Sequence, residues 1–87
     1  MMGFLYLLES QNCTRPYLGS CIDVEKRLYE HNRGKNKSTK NKGPWRLLKC
    51  WSFKDISQAR QAEYKIKKTK KKFSENFIDT WLESFSQ

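Results

Sequence analysis

The sequence has no apolar run long enough to cross a membrane. A membrane-spanning helix needs about 18 consecutive apolar residues, and no segment approaches this length. The N-terminal segment MMGFLYLLES has neither the basic start nor the cleavage-type ending of a signal peptide. We therefore expect no membrane partner, and we interpret this segment as a buried strand.

Cysteine and histidine are scarce, which argues against a structural zinc site. The three cysteines, Cys13, Cys21 and Cys50, have seven and 28 residues between neighbours, and the chain has one histidine. This spacing fits no zinc-ligand pattern. We expect reduced cysteines that pack as small hydrophobic residues, as is typical of a cytoplasmic protein.

Acidic residues are half as numerous as basic ones. The 87 residues include 18 Lys and Arg against 9 Asp and Glu, a formal net charge of +9. This excess favours a polyanionic partner, nucleic acid before an anionic membrane, and a merely soluble basic surface is the alternative. The length predicts one domain, residues 1–87, with a modest core.

Hydrophobic patterns and cap residues predict an α/β protein of the α+β type. Asp23 and Gly34 are suitable start and stop signals for a first helix, and Asp55 or Ser57 for the start of a second. The lysine-rich segment 35–44 is predicted to be a loop that stays flexible until an anion orders it. We expect a small three-stranded antiparallel sheet flanked by helices, in the order β-β-α-β-α-α. The predicted strands are 4–8, 15–20 and 45–53, and the predicted helices are 23–33, 56–70 and one that follows Ser74.

Two polar side chains share the apolar side of the first predicted helix. At about 100° per residue, Arg27 and His31 lie beside Val24 and Leu28, on the face that should meet the core. Taken alone, Arg27 is consistent with an edge residue whose charge reaches water. His31 alone is consistent with a partly buried, hydrogen-bonded histidine.

A carboxylate occupies the apolar stripe of the second predicted helix. Glu63 lies between Ile56 and Ala59 in projection along the helix axis. This position is costly unless the carboxylate is paired or binds a cation. A salt bridge to Arg27 or to a lysine is one interpretation, and a metal ligand is the other.

Two tyrosines complete a set of polar groups directed toward the core. Tyr6 lies within an apolar run, so its hydroxyl needs a hydrogen-bond partner. Gly19, two residues after Tyr17, is either a simple strand end or a point where another group approaches the backbone closely. Phosphodiester hydrolysis needs an activated water, a cation for the transition-state charge and a stabilised leaving oxygen. The residues that could supply these groups are Tyr6, Tyr17, Arg27, His31 and Glu63.

The pattern resembles the GIY-YIG endonuclease family, specifically its short stand-alone bacterial members. FLY at 4–6 is similar to the first family motif and YLG at 17–19 to the second, with the two tyrosines eleven positions apart. Segment 23–35 is similar to the family's helix with arginine and histidine, and segment 62–67 to its glutamate segment. The first motif departs from the family pattern, with phenylalanine for glycine and leucine for isoleucine.

The resemblance implies an endonuclease that hydrolyses DNA with a single divalent metal ion, Mg²⁺ or Mn²⁺. It implies that Glu63 holds the metal and that Arg27 stabilises the scissile phosphate. Tyr6, Tyr17 and His31 would position or deprotonate the attacking water, and the identity of the general base stays open. A role in DNA repair or recombination is consistent with the family, and RNA stays open as a substrate.

Lysines are placed to contact a phosphate backbone without reading its sequence. One run follows the first predicted helix and a second surrounds and follows Glu63, so both flank one cleft if the helices converge. Any single lysine is more simply explained as solvated. A nucleic-acid-binding module with a vestigial site, and an accessory protein that needs a protein partner for targeting, are the alternatives to a nuclease. The candidate phosphate-binding lysines are Lys35, Lys37, Lys40, Lys42, Lys67 and Lys68.

Overall fold

The computed structural model describes residues 1–37, 39–69 and 73–85. Its strands form one antiparallel sheet in the order β2-β1-β3. The strands are β1 (Gly3–Ser10), β2 (Cys13–Cys21) and β3 (Arg46–Phe53), and the helices are α1 (Val24–Asn32), α2 (Ile56–Lys68) and α3 (Glu75–Phe85). The expected α+β architecture and element order are therefore confirmed.

Helix starts lie where capping side chains are available. Asp23 accepts a hydrogen bond from the Lys26 amide at 3.1 Å, and Asp55 accepts one from the Gln58 amide at 2.9 Å. Asp55, rather than Ser57, is thus the cap of α2, because its extended backbone frees the carboxylate to reach the first turn. The Ser74 hydroxyl likewise accepts from an amide at the start of α3.

The end of the first helix follows its sequence signal. Gly34 has a φ of 77°, in the left-handed region that favours glycine, and its amide donates to the His31 carbonyl, so the predicted stop is confirmed. Helix α2 ends at Lys68, and the predicted end at residue 70 lies outside the described residues, as do the lysines at 70–72. No helix in the described ranges has the length and apolar content needed to cross a membrane.

The central strand β1 is buried on both faces, as its continuous apolar run predicts. Leu5 and Leu7 pack with residues of α2 and α3 on one face. Tyr6 and Leu8 pack with Trp45 and residues of α1 on the other face. Strand β2 is therefore an edge strand that has helix α2 on one side and helix α1 on the other.

Candidate active site

Tyr6 crosses from β1 to lie against the backbone of Gly19 on β2. The two residues are directly paired in the sheet. A Cβ atom added at Gly19 would overlap the Tyr6 hydroxyl oxygen and would lie 2.6 Å from its Cζ atom, closer than real Cβ contacts allow. Of the two interpretations of Gly19, close approach of another group is the correct one.

The Tyr6 hydroxyl begins a buried chain of hydrogen bonds. Its oxygen is 2.9 Å from Nε2 of His31, and Nδ1 of His31 is 2.8 Å from the Thr39 hydroxyl oxygen. The Thr39 hydroxyl donates in turn to the Asn36 carbonyl at 3.4 Å. Tyr6, His31 and Thr39 are each at most 2 % exposed, so the hydrogen bonds of the chain are largely buried. The partner that the sequence required for Tyr6 is thus His31.

Burial shifts the pKa values of Tyr6 and His31 in the directions that favour their neutral forms. Burial raises the pKa of the Tyr6 phenol well above its ordinary value, and nearby Tyr17 adds to the rise. Burial lowers the pKa of the His31 imidazole below 6.5, and the charge of Arg27 lowers it further. A neutral imidazole can accept a proton, so the pair can hold or take up one proton without a buried charge at rest.

Tyr17 covers the outer side of this pair. Its ring meets that of His31 edge-on at a centroid distance of 4.9 Å and lies 6.3 Å from that of Tyr6. Within 1–37, 39–69 and 73–85, no hydrogen-bond partner is found for its hydroxyl, and the residue is partly exposed. Tyr17 can therefore contact a water or a phosphate without breaking an internal hydrogen bond.

Glu63 reaches the site from α2, across the edge strand. Its Oε1 accepts from the Ser20 hydroxyl at 2.6 Å, and its Oε2 pairs with the Lys67 ammonium at 2.7 Å. The same ammonium lies 5.4 Å from the centroid of the Tyr17 ring, which joins the carboxylate to the aromatic cluster. Of the interpretations of Glu63, a salt bridge to a lysine is present.

Arg27 lies at the edge of the cluster with its guanidinium partly exposed. Its nearest carboxylate is that of Glu30, at 3.7 Å, so the salt bridge to Glu63 considered from the sequence is wrong. Its positive charge lowers the pKa of both the Tyr6 phenol and the His31 imidazole. The loose contact with Glu30 leaves Arg27 able to bind an anion.

The candidate lysines lie on two exposed segments. Lys40 lines a surface cavity of about 500 Å³ together with Arg33, His31 and Thr39. Lys68 stacks on the exposed ring of Tyr64 at 4.7 Å, whereas Lys67 is held by Glu63. The side chains of Lys35, Lys37, Lys40, Lys42, Lys67 and Lys68 are all exposed.

The donors around Glu63 suit one hard divalent cation. A carboxylate and the Ser20 hydroxyl offer oxygen ligands 2.6 Å apart, and Mg²⁺ is commonly held by one or two carboxylates with waters and substrate phosphates. In the described part of the chain, no group of three or more His, Cys, Asp and Glu side chains could hold a metal. A cation at Oε2 of Glu63 would compete with the Lys67 ammonium, which pairs with the same oxygen at 2.7 Å.

Three features of the site were not predicted. The sequence offers a signal for Ser20, because alternation puts its hydroxyl on the same face of β2 as the buried Leu18. It offers none for Thr39, since a threonine between lysines in a polar loop is expected to be solvated. The sequence allows a salt bridge from Glu63 to a lysine without identifying which one, and the i,i+4 spacing on α2 is the signal that points to Lys67.

The fold and the site together define a member of a known catalytic family. The model of the GIY-YIG catalytic domain matches residues 2–76. The chain belongs to the GIY-YIG family, a family of nuclease-type domains, and the expectation from its motifs is confirmed.

The relatives of the chain are bacterial UPF0213 proteins. It is 32 % identical over 79 residues to the UPF0213 protein BH0048 of Halalkalibacterium halodurans, covering 90 % of this chain and 83 % of the relative. It is 38 % identical over 77 residues to the UPF0213 protein RBAM_000440 of Bacillus velezensis, covering 87 % and 77 %. A solution NMR structure of the UPF0213 protein BH0048 from Bacillus halodurans matches 95 % of this chain and 84 % of that one, at 30 % identity and a TM-score of 0.49.

Proposed function

We propose that the protein is a divalent-metal-dependent endonuclease that hydrolyses DNA phosphodiester bonds. The observation that carries the proposal is the Tyr6–His31 hydrogen bond, which sets a neutral base behind the partly exposed Tyr17. Arg27 supplies a partly exposed cation whose charge acts on this pair, and Glu63 supplies a carboxylate joined to the aromatic cluster through Lys67. These are the groups that a phosphodiester hydrolase requires.

The proton of the attacking water is handled by the aromatic cluster. Tyr17 orients the water, since its hydroxyl is available at the surface of the site. Tyr6 is nearly buried in the free protein, so in the substrate complex this water must enter beside Tyr17 to reach the Tyr6 oxygen. The Tyr6 oxygen then takes the water's proton as its own proton passes to Nε2 of His31, 2.9 Å away. The resulting imidazolium is costly to hold in a buried site, so after cleavage it gives up the proton to solvent through Tyr6, while the leaving oxygen takes its proton from water.

Charge on the phosphate is met by Arg27 and by the metal. The guanidinium of Arg27 can form two parallel hydrogen bonds to phosphate oxygens. Glu63, with Ser20 beside it, would hold the Mg²⁺ or Mn²⁺ ion, which supplies Lewis-acid stabilisation of the phosphate. The exposed lysines bind flanking phosphates without sequence selection, so we propose that structure, such as a branch or a lesion, directs cleavage.

Cleavage by the purified chain tests the proposal. Supercoiled plasmid, branched DNA and a matched RNA are incubated with Mg²⁺ or Mn²⁺, beside the isosteric Glu63→Gln and a control, Glu75→Gln, in the exposed first turn of α3. We expect cleavage of DNA that is lost with EDTA and with Glu63→Gln and kept with Glu75→Gln. Cleavage that survives Glu63→Gln would show that the site is wrongly assigned, and cleavage of RNA alone would change the substrate.

A second candidate is a nucleic-acid-binding module or accessory subunit without turnover. The observation that favours it is that both carboxylate oxygens of Glu63 already have protein partners, Ser20 and Lys67. In that case DNA binds with equal affinity to the wild type and to Glu63→Gln, and neither protein cleaves it with any metal. Cleavage that appears only when a protein partner is added would assign the chain the accessory role. Because all three cysteines are free thiols, we place either activity in the reducing cytoplasm.

A further inference from the structure

Thr39 belongs to the lysine-rich loop, yet it is a buried residue. It is 1 % exposed, its hydroxyl contacts Nδ1 of His31 at 2.8 Å, and its carbonyl accepts from the indole of Trp45 at 3.2 Å. Further contacts hold the end of the loop, because side chains of Ser10 and Asn12 donate to its carbonyls. Thr39 is therefore held against His31 from two sides.

The hydrogen-bond chain admits only one consistent direction. The Tyr6 phenol keeps its proton, and Nε2 of His31 is the one acceptor found for it among the described residues. Nε2 must then be unprotonated, so a neutral His31 carries its proton on Nδ1. That N–H donates to the Thr39 hydroxyl oxygen, whose own proton goes to the Asn36 carbonyl, which can only accept.

We propose that Thr39 is a positioning residue that holds His31 in the Nδ1–H tautomer, so that Nε2 faces Tyr6 as a base. A free imidazole can carry its proton on either nitrogen, and the partner of the other nitrogen decides which. Without the Thr39 acceptor, a proton on Nε2 would face the Tyr6 hydroxyl and block the transfer. The catalytic consequence rests on the proposed nuclease function, whereas the tautomer itself does not.

The lysine-rich loop, residues 35–44, thus combines exposed lysines with a buried residue that contacts His31. Lys37 and Lys40 are exposed on it, while Thr39 between them is buried against His31. Phosphate binding on the loop and the orientation of the base are therefore supplied by adjacent residues. Loss of the Thr39 hydroxyl should leave the lysines, and hence DNA affinity, in place.

Because His31 is the only histidine, nitrogen NMR of a histidine-labelled sample reports on this site alone. We expect the wild type to show the Nδ1–H tautomer at pH 7.5. The isosteric Thr39→Val should populate the Nε2–H tautomer, and Thr39→Ser should restore the wild-type spectrum. An Nε2–H tautomer in the wild type, or the same spectrum for Thr39→Val, would overturn the proposal.

Kinetics separate positioning from a merely structural role. We expect Thr39→Val to lower kcat by about 10- to 100-fold, by analogy with the cost of losing a hydrogen-bond partner that orients a metal-binding histidine, with KM for DNA unchanged. Thr39→Ser should recover most of kcat. Equal losses for the two variants, or a change confined to KM, would contradict the proposal. If the tautomers behave as expected and no variant or wild type cleaves DNA, the nuclease proposal fails and the assignment of the tautomer stands.

Discussion

At the scale of single residues, Lys67 lies in a basic run that predicts a solvated side chain, yet it contacts two residues of the candidate site. Its ammonium neutralises the carboxylate of Glu63 and contacts the ring of Tyr17. A cation is thus already present where the proposed metal would bind. Since both are positive, the lysine and the metal compete for the same oxygen of Glu63.

Replacement of Lys67 by methionine is expected to strengthen Mn²⁺ binding. Loss of a competing, partly exposed ion pair is worth about 0.2–1 kcal/mol, or roughly a 1.5- to 5-fold gain in affinity. Titration of free Mn²⁺ by electron paramagnetic resonance without DNA measures this directly. Lys68→Met, which removes an exposed lysine stacked on Tyr64, is the matched control and should leave the affinity unchanged. Weaker binding by Lys67→Met would mean that the lysine helps to form the site.

The buried His31 is expected to make the free energy of unfolding fall as the pH is lowered. Its pKa in the folded protein lies below 6.5 because of burial, so the unfolded chain binds the proton first as the pH falls. We expect the free energy of unfolding to decrease from about pH 7 downward through 6.5, and to level off below the folded pKa. Urea unfolding at several pH values measures it. His31→Gln should remove this slope, and a flat wild-type profile would show that His31 is not held neutral.

At the scale of elements, the pairing of β1 with β2 determines the position of the Tyr6 hydroxyl. The register puts Tyr6 opposite Gly19, and the missing Cβ there leaves space for the ring. Gly19 has no left-handed φ, so the requirement for glycine is steric and not conformational. The absence of a side chain at Gly19, in the second motif, thus leaves the space that the Tyr6 ring of the first motif occupies.

Gly19→Ala is expected to lower stability and to disturb the Tyr6–His31 hydrogen bond. Overpacking of this kind typically costs about 1–3 kcal/mol, because either the ring or the strand must move. Urea unfolding measures the loss, and the histidine nitrogen spectrum measures the disturbance at His31. Ser20→Ala, at the next residue, removes a side chain directed to the opposite face and should leave that spectrum unchanged. A Gly19→Ala protein as stable as the wild type would show that the space beside Tyr6 adapts.

The elements also explain why residues far apart in sequence meet at one site. Helix α1 brings Arg27 and His31 over one face of the sheet, and α2 brings Glu63 over the other. The edge strand β2 lies between them, with Tyr17 on one face and Ser20 on the opposite face. At this edge of the sheet, the long Lys67 side chain connects the two faces, because it contacts Glu63 over one face and Tyr17 on the other.

At the scale of the whole molecule, the net charge of +9 should dominate DNA affinity. We expect the affinity for duplex DNA to fall steeply and linearly on a logarithmic scale between low and moderate salt, with little dependence on sequence. Lys40→Gln should reduce the slope by about 0.9, because one phosphate contact is lost. Fluorescence anisotropy at several salt concentrations measures both effects.

A matched control for this measurement is Lys54→Gln. Lys54 is exposed and follows Phe53, which pairs with Gly3 at the end of the sheet opposite the lysine-rich loop. The variant has the same net charge as Lys40→Gln, so general charge effects cancel in the comparison. Equal slopes for the two variants would show that the loop is not the binding surface.

The sequence by itself determined the elements and their order, and its motifs indicated the GIY-YIG family. These depend on periodicity, caps and motif spacing, which are local properties of the chain. The tertiary structure alone decided that Thr39 is buried against His31 and that Gly19 makes room for Tyr6. The physical reason is that each of these is a side-chain contact whose geometry is set only when strands and helices pack. The lysine-rich loop is the clearest case, because its composition predicts solvation while one of its residues completes the buried hydrogen-bond chain.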